Sequence, residues 1–227
     1  MSRIILHRAL GSPPARAVLM LCETIGLPVE IKEVNVLRGE QLTPEFKKLN
    51  PMGTVPVVQD GDFVLHAIMV YLLSKYGGDK RESLYPSEVR ARALVDQCMY
   101  FDTGVFFRAL ITTAASAFYD GQSGPSEKNV KALESSYGVV EAYLRQRRYL
   151  AADRLTLADY SVGSTATAVQ GMKQSCDRFP RSADWLARLQ EERVFKEVNA
   201  PGVAYFTKLL HKAWESNKIR NQKDVVN

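Results

Sequence analysis

No stretch of this sequence holds the roughly 20 consecutive apolar residues that a membrane-spanning helix takes. The opening Met-Ser-Arg-Ile-Ile-Leu reaches His7 and Arg8 too soon to contain the apolar core of a secretory signal. Cysteine is scarce. Cys22, Cys98 and Cys176 are odd in number, widely spaced and form no C-x-x-C pair. That excludes a disulfide framework and points to reduced thiols in a cytoplasmic protein. The three histidines, His7, His66 and His211, share no metal-ligand spacing, so no metal is expected. No strand-like segment interleaves aromatic with basic residues, and neither a nucleic acid nor a membrane is an expected partner.

The formal charge of +5 does not reverse that reading, because much of it is local. From Lys208 onward five basic residues (Lys208, Lys212, Lys218, Arg220, Lys223) face two acidic ones (Glu215, Asp224), a net +3. The body is close to neutral, and a solvated basic tail is the expected form of the end.

What is present is a chain of 227 residues, 46% hydrophobic, long enough to bury a sizeable core. Its first third alternates. Strand signals at 3–7, 29–34, 55–59 and 62–65 are separated by helical patterns at 14–26, 43–49 and 67–76. Asp60-Gly61-Asp62 reads as a tight hairpin between the third and fourth strands. A compact α/β domain with a four-stranded sheet over residues 1–77 follows. Residues 78–88 are polar and rich in turn formers, a linker by composition. Residues 89–227 lose the strand signals. Helical periods run over 89–119, 126–147, 157–175 and 183–192, with a last helix around 203–214. Thr156-Leu157-Ala158-Asp159 has the pattern of a capping box in its Asp form and is assigned structure, not chemistry.

The segment that carries chemistry is Gly11-Ser12-Pro13-Pro14-Ala15-Arg16, between the first strand and the first helix. Proline suits the first helical positions, where its fixed φ fits and its missing N–H is no loss. Ser12 therefore stands at a helix N-terminus, beside backbone donors and the positive end of the dipole, where an anion such as a thiolate is stabilised. From this segment alone the simpler reading is an N-cap and nothing more.

With Ser-Pro-Pro-x-Arg at its first turn, an α/β domain followed by an all-helical one resembles the cytosolic glutathione transferases, most nearly the insect delta/epsilon classes. Further strings carry the likeness: Val34-Asn35, Gly39-Glu40-Gln41-Leu42, Pro44-Glu45-Phe46, Leu49-Asn50-Pro51, Thr54-Val55-Pro56, His66-Ala67-Ile68, Phe101-Asp102-Thr103-Gly104 and Leu155-Thr156-Leu157-Ala158-Asp159. The resemblance implies a thioredoxin-like N-terminal domain with a four-stranded mixed sheet, an all-α C-terminal domain, and a homodimer. It implies glutathione as co-substrate and conjugation of its thiolate to hydrophobic electrophiles. Ser12 maps to the family's thiolate-stabilising serine. Pro56 maps to its cis proline, which turns the backbone of Val55 toward the tripeptide.

Two departures from the family pattern stand out. Met52-Gly53-Thr54 occupies the place of Gln-His-Thr, so Gly53 stands where a histidine holds the glycyl carboxylate. The run Asp62-Phe63-Val64-Leu65-His66 lacks the acidic residue and serine that grip the γ-glutamyl end, with Leu65 in the serine's place. A lost hydrogen bond to a charged group costs about 1.5–3 kcal/mol, so glutathione binding is expected to be weakened. Gln41 and His66, together with Thr54, Val55 and Pro56, complete the expected glutathione site. His66 reads equally as a surface residue at a helix start.

Phe107, Ile111, Ala115 and Tyr119 recur every four residues along one helix face. The face reads as ordinary core or, through the resemblance, as the electrophile pocket, with Phe206 closing it. No charged side chain lies between Arg108 and Asp120, which favours bulky apolar substrates. Two other functions remain open at this point. One is a carrier of hydrophobic ligands with an eroded glutathione site; the other is a glutathione-dependent peroxidase or isomerase.

Overall fold

A computed structural model describes residues 3–172 and 178–226. The expected helix end at Ser175 and Cys176 lie outside these residues. The N-terminal unit is built from β1 (Ile4–Arg8), α1 (Pro13–Ile25), β2 (Glu30–Glu33), α2 (Pro44–Leu49), β3 (Val57–Asp60), β4 (Phe63–Leu65) and α3 (Ile68–Tyr76). The sheet order is β2-β1-β3-β4. β1 runs parallel to β2 and antiparallel to β3, and β3 pairs antiparallel with β4 through the expected Gly61-Asp62 turn. This is the mixed four-stranded sheet that the sequence predicts. Alternation sorts β1 between two layers. Ile4 and Leu6 join the main core with α1 and α3, while His7 turns to the α2 side, edge-on to Phe46 at 6.0 Å.

The segment expected to be a linker contains a short helix, α4 (Lys80–Leu84), whose Leu84 is buried. Its polar face hid a single anchoring leucine from a reading by composition. The helical unit continues with α5 (Val89–Phe101), α6 (Phe107–Phe118), α7 (Glu127–Tyr143), α8 (Leu157–Gly171), α9 (Pro180–Glu191) and α10 (Ala200–Val226). The helix expected over 89–119 is thus two helices joined by a π-helical turn, Asp102–Phe106.

The basic side chains of the tail, Lys208, Lys212, Lys218, Arg220 and Lys223, are exposed, as expected, but the last helix does not end near Trp214. It runs on to Val226, and in this second half of α10 the Asn217 side chain donates to Ala117 O and Gln122 O, both at 2.8 Å. At the α8 start the Asp159 carboxylate accepts from Thr156 N at 2.8 Å, Leu150 N at 3.1 Å and Trp185 Nε1 at 2.9 Å. Burial pushes its pKa up, and these donors pull it back.

Arg16 joins the two units. Fully buried on α1, its guanidinium donates to Ser164 O at 3.1 Å and to Asn199 Oδ1, across the unit boundary. Burial lowers its pKa to about 9, which still leaves it charged at neutral pH. Its stem lies against Gly202 of α10, where a Cβ would collide with Arg16 Cδ and sit 2.6 Å from Leu10 O. Glycine is required there by close approach. The clamp fixes the α1 N-terminus against the helical unit, and with it Ser12.

Candidate functional site

Ser12 is the N-cap residue of α1, at φ −71° and ψ 117°, yet its hydroxyl makes no capping hydrogen bond. Its backbone N–H donates to Ala9 O at 2.9 Å, and its carbonyl accepts from Arg16 N at 3.0 Å. Pro13 and Pro14 fill the first two helical positions and carry no N–H. Backbone donation at this end is therefore left to Ala15, fewer donors than the sequence reading expects. His7, the nearest imidazole in sequence, has its Nε2 bonded to Gln59 Oε1 at 2.6 Å. It faces α2, edge-on to Phe46, rather than the first turn.

Between the two units lies a cleft of about 610 Å³. From α1 it takes Pro14, Ala17 and Val18; from the loop before β3 it takes Met52, Thr54, Val55 and Pro56. His66 and Met69 flank the start of α3, and Met99, Tyr100, Asp102 and Phe107 close the far wall. The Val55–Pro56 peptide bond is cis, as the resemblance implies. Asn50 holds the loop. Its side chain donates to Thr54 O at 2.9 Å and accepts from Met52 N at 3.1 Å.

Of the residues singled out in the sequence, Thr54, Val55, Pro56, His66 and Phe107 meet in this cleft. Ser12 stands two residues before its Pro14 wall. Gly53 is buried at φ +60° beneath Gln41 and Leu42, and its neighbours Met52 and Thr54 face the cleft instead. Leu65 is half-buried and paired with Val58 in the sheet. The Gln41 side chain reaches only Val36 O, at 3.4 Å, and its Oε1 is enclosed without a partner.

Ile111 and Tyr119 are 41% and 68% exposed and Ala115 is half-buried, whereas Leu110, Thr113, Ala114 and Ala117 form the core face of α6. The stripe is therefore not ordinary helix core. Phe206 is buried against Gly11, at 3.3 Å from where a Cβ there would stand. Tyr205, beside it, is exposed and also contacts that turn.

Asp102 is the residue that sequence reasoning missed. It sits at the first position of the π-helical turn, lines the cleft and is buried. Ser161 Oγ donates to its Oδ2 at 2.6 Å, and the Thr165 hydroxyl is a second donor beside the carboxylate. Burial pushes its pKa up to about 6 against the pull of the Ser161 and Thr165 hydroxyls. The signal was available: Val95, Cys98, Asp102 and Phe106 recur at helical spacing on the buried face, and an acid in such a stripe has a reason to be there.

Among the described residues no group of histidine, cysteine, aspartate and glutamate is placed to hold a metal ion, and no helix is long and apolar enough to cross a membrane. The family model for the glutathione S-transferase N-terminal domain matches residues 6–80, and that for the C-terminal domain matches residues 107–192. Glutathione S-transferase 1 of Manduca sexta is 36% identical over 203 residues, 87% of this chain and 92% of that protein. An epsilon-class glutathione S-transferase from the housefly, Musca domestica, superimposes with a TM-score of 0.88 at 35% identity, covering 93% of this chain and 98% of that one. A glutathione transferase homolog from Drosophila mojavensis, solved with bound glutathione, gives 0.87 at 35% identity over 96% of this chain and 98% of that one. The chain belongs to the glutathione S-transferase family, near its insect epsilon and delta classes.

Proposed function

We propose that this protein conjugates glutathione to apolar electrophiles, with residues 1–77 binding the tripeptide and residues 89–227 supplying the electrophile site. The observation that carries the reading is the Ser12 hydroxyl. It stands at the N-terminus of α1 beside the cleft, and it is not engaged as a cap. Free thiols have a pKa of about 8.5, and lowering it by ~2 units takes roughly 2.7 kcal/mol of preference for the thiolate. A hydroxyl donating to an anion contributes about 1.5–3 kcal/mol, and the dipole of a 13-residue helix adds to it. The thiolate attacks an electrophilic carbon, a C–S bond forms, and the leaving group departs with its bonding pair.

The remaining groups divide the tripeptide between them. Val55 offers its backbone to the cysteinyl unit. The γ-glutamyl carboxylate suits the start of α3, where Ala67 provides no side-chain cap, with His66 at its edge. Its ammonium suits Asp102, the buried acid that lines the cleft. Phe107, Ile111, Ala115 and Tyr119 form the electrophile wall, with Phe206 supporting it and Tyr205 at its rim. Met52 and Tyr100, 65% and 78% exposed beside the cleft, are surfaces we assign to a second copy of the chain in a homodimer. The cytoplasm is the proposed compartment.

Calorimetric titration of glutathione, followed by turnover of an activated aryl halide, tests this. Millimolar binding with thiolate-dependent turnover supports it. Binding of an apolar dye without any response to glutathione overturns it in favour of a carrier, the reading that Gly53 and Leu65 favour.

The electrophile wall has its own test. Because Ala115 is half-buried and off the core face, Ala115→Phe is expected to change relative turnover of bulky and small electrophiles severalfold with glutathione affinity within about twofold. Overpacking of a true core position would cost typically 1–3 kcal/mol instead. A fall in melting temperature with unchanged selectivity removes Ala115 from the wall.

A further inference from the structure

Resting on the reading of α6 as the electrophile wall, we propose that Asn217 is a positioning residue for Tyr119. By tying α10 to the end of α6, it sets how far that end of the wall stands from the Ser12 turn, and so how large an electrophile fits. The last carbonyls of a helix have no partner within it and turn to water, local turns or side chains. At the end of α6, Ala115 O accepts from Tyr119 N at 2.8 Å and Ser116 O from Gln122 N at 3.0 Å, both local bonds. Ala117 O is satisfied differently. It accepts from Asn217 Nδ2 at 2.8 Å, a side chain 100 residues further along the chain. The same Nδ2 donates to Gln122 O, also at 2.8 Å, so both N–H groups of one amide are used, one on each side of Tyr119. Arg220 Nη2 donates to Asn217 Oδ1 at 3.2 Å and fixes which way the amide points. Asn221 Nδ2 adds a longer bond to Gly121 O at 3.3 Å.

The first half of α10 is tied to the Ser12 turn. Gly202 abuts Arg16 and Leu10 O, and Tyr205 and Phe206 lie against Gly11, next to Ser12. From Phe206 to Asn217 the helix is continuous and spans about 16 Å at a rise of about 1.5 Å per residue. One rigid element thus runs from the turn that carries the Ser12 hydroxyl to the far end of the proposed wall.

Packing gives the second half of α10 no other task. Of residues 215–223 Asn217 alone is buried, at 8% exposed, and the others face solvent. Among the described residues, none beyond Trp214 joins the hydrophobic core. Helix without a packed face adds little stability of its own. Removing the Asn217 bonds therefore loosens the end of α6 and leaves the core closed. Tyr119, exposed between the two carbonyls that Asn217 holds, is the side chain that this tie controls.

The experiment uses the full chain and two probes with the same leaving group, chlorodinitrobenzene and the bulkier chlorodinitronaphthalene. Asn217→Leu keeps the size of the side chain and removes both donors. It is expected to raise the ratio of kcat/KM for the bulky over the small probe about fivefold, because a loosened wall loses its hold on the small one. Glutathione affinity, read by calorimetry, should stay within about twofold. Arg220→Ala, at an exposed position, should move the ratio the same way by about twofold, and it decides the matter if Asn217→Leu does not fold. In a Tyr119→Ala background, Asn217→Leu should change the ratio by less than twofold, since coupled residues do not add. A lower melting temperature with an unchanged ratio overturns the proposal and makes Asn217 a purely structural tie. The same change in the ratio with and without Tyr119 overturns it too, because Asn217 then acts elsewhere. Wild-type protein that binds glutathione but conjugates neither probe overturns the electrophile reading of α6 and this inference with it.

Discussion

Alanine in place of Ser12 is expected to lower conjugation by roughly tenfold to a hundredfold near pH 6.5 while leaving the fold intact. The hydroxyl makes no bond to the α1 backbone, so the usual cost of about 0.5–2 kcal/mol for losing an N-cap does not arise. What is lost is a donor to an anion, about 1.5–3 kcal/mol, and each pKa unit corresponds to about 1.36 kcal/mol. The bound thiol should therefore ionise about one to two units higher. The check is the pH–rate profile of kcat/KM. Its rising limb should move to higher pH, with the mutant approaching wild-type rates once glutathione ionises unaided. An unchanged profile removes Ser12 from the chemistry. His7 is then no substitute, because Gln59 already holds its Nε2 at 2.6 Å. Ala15 N–H and the α1 dipole would be what remains.

The elements that place Ser12 were legible because each is specified locally. Ile4-Ile5-Leu6, the Pro13-Pro14 pair, the Gly61-Asp62 turn and the Thr156–Asp159 pattern name their own strand, helix start, hairpin and cap. What escaped the sequence depended on partners distant in the chain. Residues beyond Trp214 read as tail since they are polar around the whole helix. They stay helical because Asn217 meets two carbonyls about a hundred residues away. The π-helical turn at Asp102–Phe106 adds one residue to a 3.6-residue period, and a pattern of apolar positions cannot resolve that within one turn. Position 53 shows the reverse. Its departure from the family pattern is plain in sequence, but only the backbone shows that φ is +60° there and that a Cβ would meet Gln41 O and Leu42 Cδ2 at 3.1 Å.

Asparagine in place of Asp102 is expected to stabilise the protein at neutral pH and to weaken glutathione binding, a pairing that separates a ligand-holding acid from a structural one. The Asp102 carboxyl is buried beside the Ser161 and Thr165 hydroxyls, and has a pKa raised to about 6. An unfolded aspartate ionises near 3.9, so the native state holds its proton more tightly by about two units. Between about pH 4 and pH 6 the folded protein thus binds more protons than the unfolded one. Its stability falls as pH rises through that window, by up to about 3 kcal/mol, and is flat above it. The amide cannot ionise, so the stability gap between mutant and wild type should open between those pH values and stay open at pH 7. Urea unfolding of both proteins at pH 4.5, 5.5 and 7 measures it. For the ligand the sign is opposite. Neutralising the acid removes the counter-charge of the γ-glutamyl ammonium, and glutathione should bind about tenfold or more weakly. A variant less stable than wild type at every pH would make Asp102 a structural acid whose carboxylate the fold needs. A variant that gains stability but keeps full glutathione affinity would put the ammonium elsewhere, and Asp102 would carry its burial cost for some purpose other than this ligand.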